Sequence, residues 1–229
     1  MFIRRKNAMR TGAKDASLQV PDLAECDPGL SCVVGIIQSG RVCGTGVLVN
    51  PSLVVTAAHC LYYGKQTLRV LFAESLAPES ITIKVAEAVS HPNYRFNSIA
   101  FDLAILVLKR RAPASAVAAK LCEPDIECWR HRALRFAGFG NNSTPRTAAQ
   151  RRRILPARVL SISAANVWID PAVSVPCHGD SGGPLLVRSA KGEILVGIES
   201  GGDPFCHSEG RFVRLDTTPG KFIRKMLAR

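Results

Sequence analysis

Cys177-His178-Gly179-Asp180-Ser181-Gly182-Gly183-Pro184 is the stretch that decides the fold of this chain. It places one serine among three glycines, and glycine lets a backbone bend sharply and approach a ligand closely because it has no Cβ. A backbone bent in this way directs successive N–H groups at one point, as stabilisation of an oxyanion requires. Taken alone, the stretch is equally compatible with a tight turn that carries a hydroxyl, so its interpretation depends on the rest of the chain.

A candidate base for this serine lies at His59. A serine hydroxyl becomes a nucleophile when a base accepts its proton, and that base needs an orienting acid. His59 closely follows the β-branched run 53–56, which predicts a buried strand. The other four histidines lie in polar or proline-flanked surroundings, and we predict that they are surface residues: His91, His131, His178 and His207.

A candidate acid lies at Asp102, directly before the apolar run 103–108. A buried carboxylate needs a hydrogen-bonding partner, and an imidazole N–H would supply one. The alternative is that Asp102 caps a turn. Because a serine, a histidine and an aspartate each lie at the edge of a predicted strand, we favour the orienting acid.

Three blocks of this sequence resemble the signature blocks of the chymotrypsin/trypsin-like serine proteases: Thr56-Ala57-Ala58-His59-Cys60, Asp102-Leu103-Ala104-Ile105-Leu106 and Gly179-Asp180-Ser181-Gly182-Gly183-Pro184. Their order, His before Asp before Ser, is also that of this family and differs from the order in subtilisins and α/β-hydrolases. The resemblance extends from about Cys32 to the C-terminus. It implies a serine endopeptidase that uses no cofactor or metal and hydrolyses protein or peptide substrates through an acyl-enzyme intermediate.

The resemblance also implies a role for each residue. Ser181 would attack the scissile carbonyl, and His59 would act first as general base and then as general acid. Asp102 would hold the imidazole tautomer. The backbone N–H groups of Gly179 and Ser181 would form the oxyanion hole.

Short apolar runs separated by turn residues predict an all-β fold. The runs are Val33–Ile37, Val47–Val49, Leu68–Phe72, Ile81–Val85, Leu134–Phe139, Leu185–Val187 and Ile194–Ile198. The resemblance implies two six-stranded antiparallel β-barrels with the active site in the cleft between them. We expect the first barrel in residues 29–125, the second in 126–215 and a short C-terminal helix in 216–229, with an amphipathic pattern from Pro219 to Leu227.

Eight cysteines, an even number, predict an oxidised protein that is secreted or periplasmic. The resemblance implies a disulfide Cys43–Cys60 beside the histidine and a disulfide Cys177–Cys206 that braces the specificity pocket. The other four cysteines allow three pairings, including a cross-tie between the two pairs or two local loops: Cys26, Cys32, Cys122 and Cys128. Their Cys-x5-Cys spacing lacks the short zinc knuckle and therefore disfavours a zinc site.

The N-terminal residues 1–28 depart from the family pattern. Many relatives are cut to expose Ile/Val-Val-Gly-Gly, whose new amine pairs with the aspartate before the serine, here Asp180. No such sequence is present. Either Asp180 pairs internally or cleavage occurs at an unusual site, such as after Arg10 or Lys14. Residues 1–25 show no signal peptide, and we interpret residues 1–28 as a pro-segment or a misassigned start.

The resemblance places the substrate-binding pocket at four residues: Val175, Ser200, Gly202 and Gly210. Val175 occupies the pocket base and favours an apolar P1 residue. A buried Glu199 would instead recruit a basic P1 residue, but we favour solvated rim charge for Glu199, Asp203 and Glu209. Gly201 replaces the aromatic residue that often flanks this strand.

The formal net charge of +12 raises the question of an anionic partner. Aromatic residues make up 6% of the chain and no recognised module is present, so we predict no nucleic-acid binding. We interpret Arg151-Arg152-Arg153 as an exposed loop, with docking to anionic polysaccharide or phospholipid head groups as the alternative. The chain contains no apolar run of about 20 residues, so no transmembrane segment is predicted, and we expect a monomer.

Overall fold

The first of two mainly antiparallel sheets is a closed barrel of six strands, in which the first, second, third, sixth, fifth and fourth strands of the chain are neighbours in that order. The structure is a computed structural model that describes residues 30–62, 68–96, 98–124, 127–140, 151–203 and 205–229. The strands of the first barrel are β1 Val33–Gln38, β2 Arg41–Asn50, β3 Leu53–Thr56, β4 Arg69–Leu71, β5 Thr82–Ser90 and β6 Ala104–Leu108.

Pairing between β3 and β6 sets the position of two candidate catalytic residues. Both strands are almost completely buried, as their β-branched and aliphatic residues predict. Thr56, the last residue of β3, lies opposite Ala104, the first residue of β6. His59 follows β3 and Asp102 precedes β6, so this register brings both residues to the same end of the barrel.

The second sheet is a half-barrel of eight strands. Seven follow the order β10-β11-β14-β13-β12-β8-β9, and β7 pairs in parallel with β13. The strands are β7 Lys120–Leu121, β8 Leu134–Gly138, β9 Arg153–Ala157, β10 Val159–Ile162, β11 Asn166–Ile169, β12 Pro184–Ser189, β13 Gly192–Gly202 and β14 Gly210–Arg214. The all-β prediction is confirmed, but the second sheet is an open half-barrel rather than a six-stranded barrel.

The helices are short, and the predicted C-terminal helix is confirmed as α2 Thr218–Leu227. Ile223 and Met226 of α2 are buried, and the Arg224 guanidinium donates a hydrogen bond to the Cys122 carbonyl. The other helical segments are α1 Glu127–Arg130 and a 3-10 turn at Ala58–Leu61. Within the described ranges, no helix has the length and apolarity that crossing a membrane requires.

The prediction that His91 is a surface residue is wrong. Its side chain is buried, and its ring stacks on Phe101 at 4.8 Å and meets the edge of Phe222 at 5.0 Å. Phe222 belongs to α2, so His91 forms part of the contact between the first barrel and the C-terminal helix. The polar and proline-rich neighbours of His91 in sequence gave no indication of this distant aromatic partner.

The cysteines form one of the two disulfides that the resemblance implied. Cys177–Cys206 is present. Cys43 and Cys60 are free thiols: the Cys43 sulfur contacts the Ile36 carbonyl at 3.4 Å and the Cys60 sulfur contacts the Ser181 carbonyl at 3.6 Å. Each sulfur thus contacts a different carbonyl oxygen and no disulfide joins the two residues.

Of the four remaining cysteines, the structure describes the sulfurs of two, and neither is in a disulfide. Cys32 and Cys122 are buried free thiols. Burial raises the pKa of each thiol to about 12, so both are neutral at ordinary pH. Cys26, the side chain of Cys128 and the predicted N-terminal segment 1–28 lie outside the described residues.

The loop that contains Ser181 packs closely against the first barrel at Gly182. The backbone of Gly182 has φ +82, and a Cβ there would lie 2.1 Å from Thr56 Oγ1, 2.3 Å from the Thr45 carbonyl oxygen and 2.8 Å from the Ala57 nitrogen. Thr45, Thr56 and Ala57 all belong to the first barrel. A side chain at position 182 would therefore push the two sheets apart.

We predict that Gly182→Ala lowers the free energy of unfolding by about 3 kcal/mol or more, because it combines left-handed backbone strain with overpacking. Chemical denaturation would measure the change. Gly192→Ala is the matched control, since Gly192 also has positive φ, +105, but open space around a Cβ. It should lose only about 1–2 kcal/mol, and equal losses in the two variants would contradict the steric argument.

Candidate active site

Asp102 accepts three hydrogen bonds at the cleft between the sheets. Its carboxylate lies 2.7 Å from His59 Nδ1 and 2.9 Å from the His59 backbone nitrogen. The Ser200 hydroxyl donates from the second sheet at 2.7 Å. The Asp102 side chain is 4% exposed and the His59 side chain 35% exposed. The carboxylate is therefore enclosed and fully engaged, while the imidazole reaches the surface of the cleft.

The surroundings of His59 stabilise the imidazolium that forms when its ring accepts a proton. Burial disfavours the charged imidazolium, but the hydrogen bond to Asp102 and the neighbouring Cys60 outweigh burial and raise the pKa of His59 above its ordinary value. An imidazole in this environment is stabilised after it accepts a proton. The site can thus hold the charge that develops when a hydroxyl is deprotonated.

Ser181 is positioned against the first barrel by its backbone. Its carbonyl accepts a hydrogen bond from the Thr45 backbone nitrogen at 2.8 Å and lies 3.6 Å from the Cys60 sulfur, next to His59 in sequence. Among the described residues, Ser181 Oγ makes no hydrogen bond with His59. Catalytic hydrogen bonds are often long in an unliganded site and shorten when substrate binds.

The loop before Ser181 is held by Thr45, a residue that the sequence argument missed. Gly179 has φ +99, and its carbonyl accepts a hydrogen bond from Thr45 Oγ1 at 2.7 Å. Thr45 Oγ1 also accepts from the Phe139 nitrogen at 3.0 Å, and Thr45 is fully buried. With the Gly179 carbonyl held towards Thr45, the loop between Gly179 and Ser181 has a defined backbone orientation.

Asp180 is buried directly before Ser181 and is paired with Arg153. One carboxylate oxygen lies 2.8 Å from Arg153 Nη2 and 2.9 Å from the Cys177 nitrogen, and the other accepts from the Gly140 nitrogen at 2.8 Å. A Cβ at Gly138 or Gly140 would lie within 2.3 Å of this carboxylate. The predicted alternative in which Asp180 pairs internally agrees with this arrangement.

The arginine triplet is not an exposed basic loop. Arg151 is exposed, at 70% of its side chain, but Arg152 is 8% exposed and Arg153 is 22% exposed. Arg151 and Arg152 approach Glu74 at 3.6 and 3.5 Å, and Arg153 pairs with Asp180. The interpretation as an exposed loop is therefore wrong for two of the three residues, because carboxylates distant in sequence bind them. This leaves the triplet little free charge for an anionic surface.

The predicted substrate-binding residues lie around one end of β13 and β14. Gly202 pairs with Gly210, and a Cβ at Gly210 would lie 2.5 Å from the side chain of Pro176, which follows Val175. Val175 itself is half-buried in the loop between β11 and β12. The backbone thus brings Val175, Gly202 and Gly210 close together, whereas the Ser200 side chain bonds to Asp102 instead.

Glu199 is buried and is not a solvated rim charge. Its side chain is enclosed, Oε1 accepts a hydrogen bond from the Gly201 nitrogen at 2.8 Å, and Oε2 has no hydrogen-bond partner within the described ranges. Burial raises the pKa of Glu199 to about 7, although His59 acts in the opposite direction. Of the other two acids, Glu209 is exposed and Asp203 accepts hydrogen bonds from the turn 205–208.

The chain is similar to known serine proteases over most of its length. The family model described as Trypsin matches residues 22–218. Granzyme M of Homo sapiens is 31% identical over 188 residues, which cover 74% of this chain and 72% of that protein. Transmembrane protease serine 11E of Mus musculus is 26% identical over 181 residues, and vitamin K-dependent protein C of Rattus norvegicus is 28% identical over 191 residues.

The matches differ in how much of each relative they cover. The match to the mouse protein covers 70% of this chain but 43% of the mouse protein. The match to the rat protein covers 72% of this chain but 41% of the rat protein. The chain thus spans less than half of these two relatives, and the similarity concerns the protease portion that the family model describes.

We predict that Arg153→Gln lowers the free energy of unfolding by about 3 kcal/mol, because it leaves the Asp180 carboxylate buried without a cation. Denaturation curves would measure the loss. Arg151→Gln is the matched control and should cost less than about 1 kcal/mol, since Arg151 is exposed. Adding Asp180→Asn to Arg153→Gln should recover part of the stability. Equal effects of the two single variants would contradict the role of the buried pair.

We predict that Glu199→Gln stabilises the protein at pH 8 but not at pH 5. The raised pKa means that the folded state binds the Glu199 proton more tightly than the unfolded state, so stability falls as pH rises through the interval from about 4.5 to about 7. A glutamine cannot ionise and removes this loss, which is on the order of 3 kcal/mol. Denaturation of both proteins across this pH range would test the prediction, and parallel pH profiles would contradict it.

Proposed function

The chain belongs to the trypsin family of serine endopeptidases, and we propose that it cleaves peptide bonds with Ser181 as nucleophile, His59 as base and Asp102 as orienting acid. The contact that carries this proposal is the 2.7 Å hydrogen bond between His59 Nδ1 and Asp102. It directs a proton onto Nδ1 and leaves Nε2 free to accept one.

The reaction would proceed in two stages. Ser181 Oγ bonds to the scissile carbonyl carbon while its proton passes to His59 Nε2, and the carbonyl π electrons move onto the oxygen. The backbone N–H groups of Gly179 and Ser181 stabilise that oxyanion. When the intermediate collapses, the C–N bond breaks and His59 gives its proton to the leaving amine. Water then attacks the acyl carbon while His59 accepts one of its protons. The bond from this carbon to Ser181 Oγ breaks, His59 returns the proton to Oγ, and the carboxylic acid product leaves.

The environment of each residue supports its assigned step. Three hydrogen bonds hold the Asp102 carboxylate against His59, where it would stabilise the imidazolium. The positive φ of Gly179 and the bond from its carbonyl to Thr45 support a fixed oxyanion loop. Because the two sheets supply different members of the site, the proposal requires that they keep their relative position.

An apolar P1 residue agrees best with the pocket. Val175 presents an aliphatic side chain where the resemblance places the pocket base, and both neighbouring strands contribute glycine, at Gly202 and Gly210. Glu199 is the residue that could recruit a basic P1 side chain instead, and its unpartnered Oε2 is the observation in favour of that alternative. Its complete burial and its raised pKa disfavour a permanent negative charge.

The setting that we propose is extracellular or periplasmic. The Cys177–Cys206 disulfide agrees with an oxidising compartment. Protein or peptide substrates follow from the family, and we propose that the chain acts as a monomer.

A fluorophosphonate probe tests the nucleophile directly. The oxidised protein should become labelled, and Ser181→Ala should lose all labelling. Ser189→Ala is the matched control, since Ser189 is the last residue of β12, next to the turn to β13, and it should label like the unchanged protein. Absence of labelling in the unchanged protein, with its fold verified, would refute the proposed mechanism.

Cleavage of a peptide library tests the pocket. We expect apolar P1 residues to dominate, with an unchanged profile in Glu199→Gln. Dominant cleavage after Lys or Arg that disappears in Glu199→Gln would assign the pocket to Glu199 instead.

A further inference from the structure

A cavity of about 240 Å³ lies beside the proposed triad. Its lining combines His59 and Asp102, the half-exposed side chains Phe96 and Ile99, and the pair Gly201 and Arg211. The cavity is separate from the P1 residues around Val175 but borders the same strand, β13. A substrate held at Ser181 would therefore place a second side chain in it.

Gly201 makes room for the guanidinium of Arg211. The two residues lie opposite each other in the β13–β14 pair, where side chains share one face of the sheet. Arg211 Nη2 lies 3.0 Å from the position that a Cβ of Gly201 would occupy, and the φ of Gly201 is +125, which favours glycine. The guanidinium thus occupies the place of the missing side chain, and its Nη2 donates to the Ser200 carbonyl at 2.9 Å.

Arg211 lacks the acidic partner that its neighbours have. Four other arginines of the second sheet and its connections form ion pairs with carboxylates: Arg135 with Glu193, Arg153 with Asp180, Arg158 with Asp170 and Arg214 with Asp216. Arg211 forms no ion pair with any residue of the described ranges, and its buried Nε has no hydrogen-bond partner there. The carboxylate of Asp102 also lines the cavity but is already engaged by three donors.

One edge of β13 lacks a described partner strand near Arg211, and this edge indicates how a peptide would reach the guanidinium. Pairing of β13 with β12 ends at Ile198, whereas its pairing with β14 continues to Gly202. An extended peptide can add to such an edge, and its side chains then alternate between two faces. A P1 residue directed towards Val175 would leave the P2 and P4 side chains on the opposite face.

We propose that Arg211 makes this protein select substrates with an acidic side chain at P2 or P4. A carboxylate in the cavity would supply the ion pair that Arg211 does not form with any described residue and a hydrogen-bond acceptor for its guanidinium. The apolar surfaces of Phe96 and Ile99 would contact the aliphatic stem of a glutamate. This inference rests on the proposed function and specifies the substrate class of the same site.

Paired peptides test the selectivity. Quenched fluorescent peptides with an apolar P1 residue are made in two sets, one varied at P2 and the other at P4. Within each set the varied position carries Glu, Gln or Lys and the rest of the peptide is identical. In at least one set, kcat/KM should be roughly tenfold or more higher for Glu than for Gln, as expected for a hydrogen bond to a charged group. Arg211→Gln should bring this ratio close to one, and Arg211→Glu should reverse the preference in favour of Lys.

Arg41→Gln is the matched charge control, because Arg41 is exposed on β2 and lies outside the cavity. It should retain the Glu-over-Gln ratio. The proposal would be overturned if the unchanged protein gave a Glu-over-Gln ratio of kcat/KM near one in both peptide sets. It would also be overturned if Arg211→Gln kept the ratio of the unchanged protein. If Arg211→Glu fails to fold, the comparison between Arg211→Gln and Arg41→Gln still decides.

Binding to the Ser181→Ala protein separates this proposal from the proposed function. Fluorescence anisotropy would measure the Kd of the labelled Glu and Gln peptides, with no turnover required. Tighter binding of the Glu peptide that weakens at high salt and is lost on adding Arg211→Gln supports the role of Arg211, even if no peptide is cleaved. Equal Kd values for the Glu and Gln peptides would overturn the role of Arg211, even if the fluorophosphonate probe labels the unchanged protein.

Discussion

The buried ion pair between Asp180 and Arg153 constrains the loop on which the proposed chemistry depends. Asp180 directly precedes Ser181, the proposed nucleophile, and Gly138 and Gly140 leave its carboxylate space that no side chain could share. Removing a carboxylate from water is costly. Burial raises the pKa of Asp180, and Arg153 and two backbone N–H groups offset only part of that cost. The backbone path through Gly179 and Ser181 therefore depends on the ion pair that Asp180 forms with Arg153.

The site also depends on contact between the two sheets. Asp102 accepts hydrogen bonds from His59 in the first barrel and from Ser200 in the second sheet, so its carboxylate connects the two sheets. Thr45 connects them again, since its backbone and its hydroxyl both bind the loop of Ser181. Neither sheet contains a complete site, which means that a change at the interface would alter catalysis without touching a catalytic side chain.

Local sequence predicted the strands of the first barrel and β8, β12 and β13 of the second sheet, because β-branched and aliphatic runs act over a few neighbours, but it gave no prediction for β7, β9, β10, β11 or β14. The three candidate catalytic residues were identified from glycines and polar residues at strand edges together with the family resemblance. It did not predict contacts between residues far apart in the chain. Arg153 was interpreted as solvated although Asp180 binds it, and His91 was placed on the surface although Phe101 and Phe222 enclose it. Periodicity indicates which strand is buried, but it does not identify the partner of a charged or aromatic side chain.

The two charges near the end of β13 have different surroundings because of the strand geometry. Glu199 lies opposite Phe212 and is enclosed, whereas Arg211 lies opposite Gly201 and borders the cavity. Burial therefore raises the pKa of Glu199 and favours its neutral form, while the Arg211 guanidinium faces the cavity. A peptide entering the cleft would meet a cation at this strand, and the excess of basic residues in the chain would favour the approach of an anionic one.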